Sequence, residues 1–171
     1  MDESPSTTAR FACDAMLKGL ARWLRAHGYD TFWQYGIDDG EIVRLALAER
    51  RILLTGDSGM MRRKLVRDAV VAALFIRHDL PVRAQLRLVV HRYQLAARPP
   101  RCMACGGELR AVDKASVRDE APPRTYRWLD EFFRCARCGK LYWRGTHWRR
   151  IATSVRAMLA PDAAADANAP T

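Results

Sequence analysis

Two sets of side chains in this 171-residue sequence have types and spacings that do chemistry. The first is sulfur. Cys102-Met-Ala-Cys105 is followed by Gly106, and Cys135-Ala-Arg-Cys138 by Gly139, with 29 residues between the pairs. Two thiolates separated by two residues can turn onto one metal, and the glycine after them relieves the tight turn. Two such knuckles supply four sulfurs, the ligand set of a closed tetrahedral zinc site. A closed site leaves no open coordination position, so this zinc is expected to be structural. Two disulfides or free thiols are the alternative, and disulfides are disfavoured where no secretory signal is seen. Cys13, the fifth cysteine, sits in an apolar run and reads as a small core residue.

The second set is carboxylate. Asp14 closes the apolar run Phe11-Ala-Cys13, Asp57 closes Ile52-Leu-Leu-Thr-Gly56, and Asp38, Asp39 and Glu41 cluster where an apolar-periodic segment begins. Three carboxylates around one cleft suit hard divalent cations such as Mg²⁺ or Mn²⁺. In a basic protein such a site points to metal-assisted phosphodiester hydrolysis. The competing reading makes Asp39 a helix cap and Asp14 and Asp57 turn residues. A phospho-acceptor receiver domain would also gather acids at strand ends, but it expects a lysine on a late strand, and residues 65–98 hold none.

Charge supports a polyanionic partner. The formal net charge is +10, and all but four of the 29 basic residues are arginine, the side chain suited to bidentate phosphate contacts. A codon bias toward arginine accounts for the Arg/Lys ratio equally well, but not for the surplus. Residues 1–100 and 101–171 each carry +5, so both halves can face one polyanion. The basic and aromatic candidates for nucleic-acid contact are Arg22, Arg25, Arg62, Arg63, Trp143, His147, Trp148, Arg149 and Arg150. Aromatics interleaved with arginine suit stacking on unpaired bases, and packing of a thin ribbon core explains Trp143 and Trp148 as well. His27, His78 and His91 have no ligand-spaced neighbours and read as ordinary.

The elements that must position these residues alternate. Short apolar strands are expected over 10–13, 29–33, 51–55 and 69–76. Helical periodicity is expected after Asp14 up to Gly28, from Asp38 to Glu49, and over 82–95. Acids in the first turn of the second helix suit its dipole. Strands alternating with helices predict an α/β fold with a parallel sheet covered on both faces. Its ligands belong at the carboxyl ends of the strands. Arg98-Pro-Pro-Arg101 breaks the pattern. The expected organisation is a disordered leader over 1–9, an α/β domain over 10–98, a zinc ribbon over 101–150, a terminal helix over 151–160 and a disordered Ala/Asp/Pro tail over 161–171. The longest apolar run, Ala69–Ile76, falls far short of the roughly 20 residues of a membrane span. The polar start lacks the core of a signal peptide, so a cytoplasmic location is expected.

The chain resembles the Mut-seven carboxy-terminal (Mut7-C) ribonuclease family, a PIN-like nuclease domain fused to a zinc ribbon. The matching segments are Asp14-Ala-Met-Leu-Lys-Gly-Leu-Ala-Arg-Trp-Leu-Arg25, Gly28-Tyr-Asp30, Asp39-Gly-Glu41, Arg51-Ile-Leu-Leu-Thr-Gly-Asp57 and Gln85-Leu86. The paired knuckles, Cys138-Gly-Lys-Leu-Tyr-Trp143 and Gly145-Thr-His147 complete them. The resemblance implies a PIN-like three-layer fold with a parallel sheet and a small C-terminal ribbon. It also implies a metal-dependent endoribonuclease. Asp14, Asp39 and Asp57 would then be the Mg²⁺- or Mn²⁺-binding acids, with Asp38 and Glu41 beside them, and RNA would be the partner. The family usually carries Thr-Arg-Asp where this chain has Thr55-Gly56-Asp57, so either phosphate contact is weakened here or Arg62 or Arg63 replaces that cation. Two alternatives stay open: a non-catalytic RNA-binding adaptor, and a structure-specific DNA nuclease.

Overall fold

Four short strands form a sheet that helices cover on both faces. In the computed structural model, which describes residues 9–159, these are β1 (Phe11–Cys13), β2 (Thr31–Phe32), β3 (Ile52–Thr55) and β4 (Ala73–Phe75). All pair in parallel, in the order β2-β1-β3-β4, with Phe11 opposite both Thr31 and Ile52 and Leu53 opposite Ala73. Alternate residues point to opposite faces. Phe11, Cys13 and Leu54 therefore meet Leu17, Leu20 and Leu24 from the α1 side, with Leu86 and Val89 from α5. Ala12 and Leu53 meet Ile42, Val43 and Ala46 on α2, with Met60 and Val66 beyond. Here α1 spans Lys18–Ala26, α2 Asp39–Ala48, α3 Ser58–Met61, α4 Lys64–Arg67 and α5 Val82–Arg92. Each fully buried Leu, Ile or Phe contributes about 1.5–3 kcal/mol relative to exposure. The result is the expected three-layer α/β fold.

The sequence pattern overreaches at two strands, and of the expected 29–33 only Thr31–Phe32 pairs as β2. The run from Ala69 enters the sheet only at Ala73, because Ala69 takes a left-handed backbone conformation (φ 56°) and Val70 stays exposed. At the end of α1 the pattern holds. Gly28 has φ 99°, and a Cβ there would meet the Arg98 and Pro99 backbone, so the stop needs glycine twice over.

The ribbon is an antiparallel sheet of β5 (Leu109–Val112), β6 (Phe132–Cys135) and β7 (Leu141–Trp143), in that order. The insert between the knuckles supplies its core. Val117, Ala121 and Phe132 are buried there, with Tyr126 of α6 (Pro123–Trp128), Leu129 and Trp143 packed around them. The last helix, α7 (Thr146–Leu159), starts five residues earlier than expected and packs back on α1 and α5. Trp148, Arg149 and Arg150 consequently belong to a helix and not to the ribbon. The expected leader, apart from Ala9, and the tail lie outside the described residues. No described helix is long and apolar enough to cross a membrane.

Arg25 joins the two parts. It was expected to contact nucleic acid, but it is only 2% exposed. Its Nε donates to the Thr31 carbonyl at 2.9 Å, and its Nη1 to the carbonyls of Met103 (3.2 Å) and Ala104 (3.0 Å) in the first knuckle. Its own carbonyl accepts from the Arg101 N–H at 2.9 Å. Burial pulls its pKa down, and the neighbouring thiols counter that. Hydrogen bonds from a charged donor contribute about 1.5–3 kcal/mol each. Arg25→Ala should thus lower stability by about 3 kcal/mol and loosen the ribbon from the sheet. Melting temperature and proteolysis at 98–101 check this, and a variant unchanged in both would remove Arg25 as the strut.

Candidate active site and metal centre

Because the sheet is parallel, every strand delivers its carboxyl end to one rim. The chain leaves β1 toward β2 on one side and later returns as β3 on the other. Strand order therefore reverses between β1 and β3, the position where open α/β sheets bind ligands. Asp14 directly follows β1 and Asp57 follows β3 by one residue, so both stand at that reversal.

Thr55 ties the two acids together. Its hydroxyl donates to Asp14 Oδ2 at 2.7 Å and accepts from the Asp57 N–H at 3.0 Å. Asp14 Oδ1 accepts from the Ala15 N–H at 2.6 Å, and the residue is 5% exposed. Asp57 is half-buried and caps α3, accepting from the Gly59 N–H at 2.7 Å. Thr55 is not among the candidates the sequence singles out, and a hydroxyl among buried aliphatics just before Gly-Asp is the signal for its link to both acids.

The acids at the start of α2 divide their roles. Asp38 is the cap, its Oδ1 accepting from the N–H groups of Gly40 (2.7 Å) and Glu41 (3.3 Å). Asp39 faces outward, with Arg63 Nη2 donating to its Oδ2 at 3.2 Å. Glu41 is exposed. These acids share the rim without converging. Among the described residues, the one group of three or more potential metal ligands with all ligand atoms within 4.8 Å of one another is the four cysteines.

Gly56 has a packing reason. A Cβ there would meet Met16 Sδ at 2.8 Å, the Ile76 carbonyl at 2.9 Å and His78 Cβ at 3.2 Å. No side chain fits at this position without displacing backbone, so the family's arginine has no room here. Arg63, at the N-terminus of α4, pairs with Asp39 on the rim. Gly56→Arg should therefore destabilise the fold by about 1–3 kcal/mol, as overpacking does, and not restore a phosphate contact. Thermal melting measures this. A Gly56→Arg protein at least as stable as wild type would show that the pocket yields.

The four sulfurs form the second centre. Cys102 and Cys138 lie 3.7 Å apart, and Cys105 and Cys135 3.4 Å apart. Zn–S bonds of about 2.3 Å put tetrahedral sulfurs about 3.8 Å from one another, so the set can hold a metal such as zinc. The Tyr142 hydroxyl approaches Cys102 Sγ to 3.0 Å. Burial opposes ionisation of Cys102, but that hydrogen bond and backbone N–H groups outweigh it and bring the thiol to about 6. Cys105 is pushed up to about 12, by burial first and by sharing protons with the other sulfurs. A cation would deprotonate all four. Cys13 stays apart from them, its pKa raised by complete burial, and is an inert core thiol.

The remaining candidates are dispersed. Trp143 packs on the ribbon core. Trp148 stacks on Phe133, with ring centroids 5.3 Å apart and an interplanar angle of 21°. Arg22, Arg62, Arg149 and Arg150 are exposed, and His147 lies on α7. His27 is buried, its pKa lowered by desolvation, and its ring stacks on Tyr29.

The described residues thus form an α/β domain with a parallel four-stranded sheet and acids at its strand reversal, joined to a ribbon that carries four clustered cysteines. Residues 9–155 match the family model described as the Mut7-C RNAse domain, and the chain belongs to that family. No curated protein and no solved structure matches it.

Proposed function

We propose that this protein is an endoribonuclease that hydrolyses RNA phosphodiesters with Mg²⁺ or Mn²⁺ held by Asp14, Asp39 and Asp57, while zinc in the four-cysteine centre holds the ribbon. The observation that carries this reading is the Asp14–Thr55–Asp57 linkage at the reversal of strand order. A divalent cation bound there would supply an acidified water and neutralise charge on the scissile phosphate. The residues already present do the positioning. Each Asp14 oxygen accepts one protein hydrogen bond and keeps a second lone pair for a cation. Thr55 fixes the distance between the two strand-end acids. Arg63 steadies Asp39 and puts a guanidinium on the rim, where a phosphodiester would meet it.

One observation favours a second reading. The acids do not converge as the cysteines do, which suits a non-catalytic RNA-binding adaptor. Labelled RNA and DNA of one sequence, each incubated with Mn²⁺, with Mg²⁺ and without added metal, separate the possibilities. The nuclease reading expects internal cleavage of RNA only with added metal. RNA bound but left intact would support the adaptor, and DNA cut in preference to RNA would make it a DNA-directed nuclease.

A further inference from the structure

A cleft of about 520 Å³ lies between α1 and the ribbon, with Lys18, Arg22, Lys140, Trp33, Tyr142 and Trp148 among its lining side chains. No Asp or Glu lines it. Lys18 and Arg22 project one helical turn apart from α1, and Lys140 lies on the ribbon side. None of these three cations is paired with a carboxylate among the described residues, whereas Arg10, Arg51, Arg63, Arg134 and Arg144 all are. Instead, Lys18 Nζ sits 5.3 Å from the Trp33 ring centre and Lys140 Nζ 5.9 Å from that of Tyr142. The cleft thus combines unneutralised cations with aromatic walls.

Its position relative to the acid rim is fixed by one hydrogen bond. The Trp33 indole N–H donates to the Ala15 carbonyl at 3.0 Å, one residue from Asp14. One wall of the cleft therefore begins at the acids, and Arg25, bonded to both parts, holds the two walls together.

We propose that this cleft is a single-strand subsite. It takes an unpaired nucleotide next to the scissile bond, with the base against the Trp33 and Trp148 walls and the flanking phosphates on Lys18, Arg22 and Lys140. The volume lies within the roughly 300–1,000 Å³ of small-ligand clefts and admits a base with its sugar, not a paired helix. Cations alone would serve an acidic peptide equally. The aromatic walls favour bases, whose stacking contributes about 1–3 kcal/mol each. The subsite rests on the ribonuclease reading, and it makes the enzyme selective for unpaired RNA.

The test is fluorescence anisotropy with an oligouridylate of about 12 nucleotides, free and annealed to its complement, with Ca²⁺ in place of Mn²⁺ to withhold turnover. Wild type should bind the single strand about tenfold or more tighter than the duplex. The double variant Lys18→Glu/Arg22→Glu should lose about tenfold or more of that single-strand affinity. It should also flatten the log–log salt slope by about 1.4, the worth of two single-strand phosphate contacts. Arg110→Glu, an exposed reversal away from the cleft, should change neither. Equal affinity for duplex, a double variant that binds like Arg110→Glu, or competition by polyglutamate as effective as by the oligonucleotide would each overturn the subsite. If wild type still cleaves RNA with Mn²⁺ in that event, the nuclease reading stands without it. Absence of both binding and cleavage removes both.

Discussion

Cys135→Ser is expected to empty the four-cysteine centre and unfold the ribbon while leaving the α/β domain folded. Apparent free energies of structural zinc binding are about 10–16 kcal/mol, far more than the few buried side chains of the ribbon core can supply. Cys135 is the ligand whose loss bears most on the strands. It ends β6, pairs with Leu109 of β5, and its carbonyl accepts from the Gly139 N–H that closes the second knuckle. The sheet domain has its own two apolar clusters, one on each face. Elemental analysis should show one zinc per chain in wild type and none in the variant. Melting should change from one transition to a broad loss of ribbon signal below the main one. Wild type purified without zinc, or a variant that retains it, would contradict the assignment.

Asp57→Asn is expected to lower metal-dependent RNA cleavage by about 10²–10³-fold, the worth of about 3–4 kcal/mol of transition-state stabilisation. It should leave the fold intact. Asparagine caps helices as well as aspartate does, so the bond to the Gly59 N–H survives. RNA binding should persist or tighten slightly, since a negative charge near phosphate is gone. Asp14→Asn is a less clean probe. Both Asp14 oxygens already accept hydrogen bonds, and an amide NH₂ facing Thr55 Oγ1 would disturb the linkage to Asp57. That variant should lose activity and about 1–2 kcal/mol of stability together.

What the sequence made legible depended on how local each feature is. The cysteine knuckles are their own geometry: Cys-x-x-Cys-Gly fixes both the turn and the ligand pair, and only the meeting of the two pairs is long-range. The strand-end position of Asp14 and Asp57 follows from alternation of strands and helices, since a parallel sheet sends all carboxyl ends to one rim. Arg25 was misread because charge argues for exposure. The Thr31 carbonyl six positions on and the Met103 and Ala104 carbonyls, 78 and 79 positions away, give that guanidinium a buried use. The run 69–76 looked like one strand because composition does not report the backbone reversal at Ala69. The early start of α7 was hidden by aromatics at Tyr142, Trp143 and Trp148 that suit a strand and a helix alike. Gly56 shows the reverse case. As a departure from the family pattern it reads as a missing cation, whereas Met16, Ile76 and His78 have closed over the place a side chain would take.

The most direct test of the account is the product pattern of a 5′-labelled single-stranded RNA incubated with zinc-replete wild-type protein, with and without Mn²⁺, beside Asp57→Asn prepared in the same way to exclude a contaminating ribonuclease. The account predicts internal fragments that form only when Mn²⁺ and Asp57 are both present. Cleavage that proceeds without divalent metal, or equally well with Asp57→Asn, would contradict it.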